Sequence, residues 1–66
     1  MHEMAIVQSI VSILEDQAKK HGATRIISVN LEFGVLTAVV PSAIEFAFEI
    51  VSKGGLAEGA RLNITI

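Results

Sequence analysis

Val7, Ile10, Val11, Leu14 and Ala18 recur at the spacing of one helix face, widened by Ile6 and Ile13, with Gln8, Ser12, Glu15 and Lys19 opposite. The pattern predicts an amphipathic helix from Met4 to Ala18. Glu15 with Lys19, and Asp16 with Lys20, set the acid one turn before the base, an order that adds about a few tenths of a kcal/mol per pair. Lys19, Lys20 and His21 stand where the helix dipole favours cations, and Gly22 suits a left-handed C′ position. The helix stop is therefore well specified. Its start is not, because no Ser, Thr, Asp or Asn precedes the apolar run.

From Thr24 to Phe33 the period changes to two: Ile27, Val29, Leu31 and Phe33 alternate with Ser28, Asn30 and Glu32. That predicts a half-buried strand with the first set inward. Val35 to Val40 carries no charge, so this connection is expected to be either buried or a contact surface, with a short extended piece as one option. Pro41 opens a second helix running to Lys53, with Ile44, Ala47, Phe48 and Val51 on one face and Ser42, Glu45, Glu49 and Ser52 on the other. Phe46 and Ile50 extend its apolar face beyond one contact, which points to a partner as well as the sheet, although the three Phe residues read first as core. Gly54-Gly55 stops the helix, Leu56 to Gly59 turns, and Ala60 to Ile66 alternates again with Leu62, Ile64 and Ile66 inward.

The fold class read from this order is α+β, a small α-β-α-β domain. Two helices pack on one face of a small sheet, whose strands are parallel if they are neighbours. Two strands do not suffice for independent stability. The sheet is expected to lack a strand, supplied by missing sequence or by another chain, through an open edge or strand exchange between copies.

Composition narrows the function classes. At 66 residues the chain is one marginal domain, and with no Cys it has neither disulfides nor a thiolate zinc site to staple it. Hydrophobic residues make up 52% and mean hydropathy is +0.61, above the ordinary soluble range, so some of that surface is expected to be covered. No apolar stretch is long enough for a transmembrane helix, and the opening His2-Glu3 lacks the basic start of a signal peptide. A cytoplasmic location with no membrane partner is expected. A net charge of −2, five Lys plus Arg and no Trp or Tyr argue against nucleic acid as a partner.

The chemistry concentrates at Met1-His2-Glu3. The Met1 amine, the His2 amide nitrogen and the His2 ring can close two fused chelate rings, a nitrogen-rich set that favours a square-planar ion such as Ni(II) or Cu(II), with Glu3 able to cap it. A cation here opposes the helix dipole, and Glu3 offsets part of that. The plainer reading is an ordinary terminal histidine and a frayed helix start. His21 reads as a solvent-facing, dipole-favoured residue, Met1 and Met4 as packing, and Glu15, Asp16, Glu45 and Glu49 as solvated helix faces. No catalytic Ser, His and Asp set or carboxylate pair can be argued from spacing, so no enzyme activity is expected.

Met1-His2-Glu3-Met4, Ile6 and Ser9, His21-Gly22-Ala23, Val29-Asn30-Leu31-Glu32-Phe33-Gly34, Pro41, Phe46-Ala47-Phe48-Glu49 and Gly59-Ala60-Arg61-Leu62 follow one another in an order and spacing that resembles the amino-terminal portion of the HypA/HybF family of hydrogenase-maturation nickel metallochaperones. The resemblance runs along the whole chain and implies that residues 1–66 form a nickel-binding domain. It implies Ni(II) bound by Met1 and His2, with Glu3 as a ligand or as a group that orients His2. It also implies delivery of the ion to a hydrogenase large subunit, with a HypB-type GTPase as partner. Two departures stand out. Where the family's loop usually reads Gly-Glu-Leu-Ser-Gly-Val-x-Pro, this chain reads Gly34-Val35-Leu36-Thr37-Ala38-Val39-Val40-Pro41, without the acidic residue. Family members also continue into a domain whose paired Cys-x-x-Cys motifs hold structural zinc, and then return with a final strand. Neither feature occurs within these residues, so a truncated or proteolysed product is expected. The alternative function is a protein-binding module that docks a maturation partner through the Val35 to Val40 loop and the second helix without binding metal itself.

Overall fold

The computed structural model describes residues 3–66; Met1 and His2 lie outside the described residues. The elements are α1 (Glu3–Lys20), β1 (Ser28–Glu32), a short 3₁₀ helix (Val35–Thr37), α2 (Pro41–Ser52) and β2 (Arg61–Thr65). Helix α1 ends as its sequence foretells: Gly22 takes φ 71°, Ala23 N donates to Ala18 O at 2.8 Å, and Gly22 N donates to Lys19 O at 3.1 Å. Those two bonds satisfy carbonyls the helix would leave orphaned. Helix α2 begins with Pro41 at its first position and carries Val40 extended before it, where a missing N–H is harmless.

The sheet has two strands in parallel register, with Val29 opposite Leu62, Asn30 opposite Asn63 and Leu31 opposite Ile64. Arg61 N to Ile27 O and Phe33 N to Thr65 O, each at 2.9 Å, extend the pairing at both ends. Strand alternation then sorts the side chains. Val29, Leu31, Leu62 and Ile64 face the core, while Ser28, Asn30, Glu32, Arg61, Asn63 and Thr65 are exposed. On that polar face Asn63 Nδ2 donates to Asn30 Oδ1 at 2.9 Å.

Among the described residues seven form the buried core: Val7 and Val11 from α1, Val29 from β1, Ile44, Ala47 and Phe48 from α2, and Ala57 from the turn before β2. Val7 and Ile44 are its largest fully buried side chains.

Four inward assignments and one outward assignment do not hold. Ile13, expected to widen the buried stripe of α1, is 61% exposed, and Ser52, expected on the outer face of α2, is buried. Ile27 is 79% exposed and Ile26 packs on the core in its place. The strand starts only at Ser28, and Ile26 N donates to Leu56 O at 2.8 Å, so the alternation counted back from Val29 breaks one residue short. Phe46 is 65% exposed, because Ile44, Ala47, Phe48 and Val51 already fill the inward stripe of α2 and Phe46 lies roughly 200° from Ile44 around the helix. Ile66, beyond the last bonded strand residue, is exposed as well.

The direction of the helices decides what the fold brings together. Helix α2 connects parallel neighbours, so it runs from the carboxyl end of the sheet back to its amino end. Glu15, late in α1, accepts a hydrogen bond from Leu56 N just past the end of α2. Since Val7 and Val11 are buried with Ile44 and Ala47, the rest of α1 must lie along α2 rather than project beyond it. Both helices therefore start at the carboxyl end of the strands, and Glu3 is there. Among the described residues no helix is long and apolar enough to cross a membrane.

Candidate functional site

Of the three predicted ligands, the structure places one. Glu3 opens α1, half-buried and in the first turn, where a carboxylate meets the positive end of the helix dipole. Met1 and His2 precede it outside the described residues. His21 sits at the other end of α1, roughly 27 Å along the axis, and its Nδ1 donates to Gln17 O at 2.8 Å. It caps the helix and cannot join a site at Glu3. Among the described residues no group of three or more His, Cys, Asp or Glu side chains could hold a metal ion.

The loop that reaches the same end of the sheet as Glu3 is folded tightly. Thr37 N and Thr37 Oγ1 both donate to Gly34 O, at 3.1 and 2.7 Å, and Ala38 closes the turn at φ 55°. That left-handed conformation costs a side-chain residue about 1 kcal/mol relative to glycine, the residue the resembling family pattern has at this position. Val35 to Val40 was expected to be buried or a contact surface, and it divides: Val39 packs on the core, whereas Val35, Leu36 and Val40 are exposed. A 3₁₀ helix replaces the extended piece.

At the opposite end a carboxylate does what its sequence context does not announce. The sequence pattern places Glu15 on a solvated helix face, but it is half-buried and its Oε2 accepts from Leu56 N at 3.0 Å. A Cβ at Gly55 would overlap that same oxygen, so Gly55 is where the carboxylate approaches the backbone. Leu56 O in turn accepts from Ile26 N at 2.8 Å, and Gly55 N donates to Ser52 O at 3.0 Å. This one turn thus joins α1, α2 and the approach to β1. Only the Gly54-Gly55 pair hinted at it, and that pair reads equally well as a helix stop. Gly55→Ala is expected to push the carboxylate away and leave the Leu56 amide without its partner, a loss of about 1–2 kcal/mol in urea unfolding. In a Glu15→Ala background the same substitution should be close to neutral, because the two changes remove one interaction.

A groove of about 400 Å³ beside α2 is floored by Phe48 and Leu62 and edged by Glu45, Glu49, Glu58 and Lys53. Glu58 Oε1 is engaged by Gly54 N at 3.1 Å.

The described structure is thus a small α+β domain in which Glu3, the one described residue of the candidate site, opens α1. Comparison with known proteins places it: the sequence model of hydrogenase/urease nickel incorporation, metallochaperone, hypA matches residues 1–66, and the chain belongs to that family. The hydrogenase maturation factor HypA of Geobacter metallireducens is 53% identical over 64 residues, 97% of this chain and 56% of the relative. HypA of Azotobacter vinelandii is 48% identical over 64 residues, with 97% and 57% covered. The hydrogenase maturation factor HybF of Salmonella typhimurium is 44% identical, also over 64 residues, with 97% and 57% covered. The chain spans little more than half the length of these relatives.

Proposed function

We propose that residues 1–66 are the nickel-handling part of a metallochaperone in hydrogenase maturation. In this reading Ni(II) is cargo, bound by the Met1 amine and the amide and ring nitrogens of His2, with Glu3 completing or orienting the set. The ion passes by ligand exchange to a hydrogenase large subunit, assisted by a HypB-type GTPase. The observation that carries the reading is the family match beginning at residue 1, which includes Met1-His2-Glu3. No chemical step beyond exchange of ligands and protons is required, so the domain acts as a carrier and not as a catalyst. Zinc held by thiolates would have to come from outside residues 1–66, which contain no Cys.

Nickel titration by calorimetry tests it. A chain beginning at Met1 should bind one Ni(II). A chain with one residue added before Met1, whose amine has become an amide, should bind at least about tenfold more weakly. Equal affinity would rule out the terminal chelate.

A further inference from the structure

We draw no further inference here: the strongest candidate, the groove between α2 and β2 that is floored by Phe48 and Leu62 and edged by Glu45, Glu49 and Glu58, carries nothing because nothing in the structure shows what covers it, whether a second copy of this chain or the part of the longer relatives that the chain does not span.

Discussion

His2→Ala is expected to lower nickel affinity on the order of 100-fold or more while leaving the melting temperature unchanged. The size follows from what the substitution removes. The ring nitrogen closes the second chelate ring, and its loss leaves the Met1 amine and a backbone amide, a pair that holds a square-planar ion poorly. Groups that merely orient a ligand are worth roughly 10–100-fold, and a ligand itself should exceed that. The pH dependence sharpens the test. Nickel displaces the proton of the His2 amide throughout this range and also competes with protons for the imidazole, ordinarily near pKa 6.5, and for the amine, near about 8, so affinity should fall as pH drops, most steeply below both values. His2→Ala should lose the dependence near pH 6.5 and keep that of the amine. Calorimetric titrations between about pH 6 and about pH 9 separate the two contributions, and an unchanged profile would remove His2 from the site. Helix α1 begins at Glu3, so circular dichroism and melting serve as the control for folding.

The largest expected effect on stability lies at Ile44. Its side chain is fully buried beside Val7, Ala47 and Phe48, where α1, α2 and the sheet meet. Truncation to alanine removes three carbons from a site whose neighbours belong to three different elements and cannot all close in. Such changes cost about 2–5 kcal/mol. A domain of 66 residues has on the order of 3–10 kcal/mol in total, so Ile44→Ala should abolish cooperative unfolding or halve the urea midpoint. Ser42→Ala, one turn's face away on the exposed side of α2, should shift the midpoint by no more than about 0.5 kcal/mol.

Periodicity made the architecture legible wherever one face of an element meets a single partner. Val7 and Val11 on α1, Ile44, Ala47 and Phe48 on α2, and Val29, Leu31, Leu62 and Ile64 on the strands all occupy the faces that their spacing predicts. The helix stop at Gly22 was equally readable, because a positive φ after a basic last turn has few other causes. Two of the failures occur where a single tertiary hydrogen bond outweighs the local pattern. Ile27 lost its inward place because Ile26 is fixed by Leu56, a residue distant in sequence. Glu15 was hidden for the same reason. A carboxylate one turn before a lysine looks solvated whether or not a distant amide points at it, and nothing local identifies Leu56 as the donor.

The candidate site divides along a similar line. Its donor atoms are covalently adjacent, so Met1-His2-Glu3 could be proposed from the chain alone. Its surroundings could not. That Leu36 and Met4 share one end of the domain with Glu3 depends on α1 and α2 running in the same direction, which hydrophobic periodicity cannot express.

Leu56 gives this arrangement a kinetic meaning. Its amide is bonded to α1 and its carbonyl to the approach of β1, so one loop residue is a rivet through two layers. Hydrogen exchange in loops ordinarily reports local opening of small amplitude. Here the Leu56 amide is held by a carboxylate of α1, so its exchange also reports on the contact between that helix and the turn before β2.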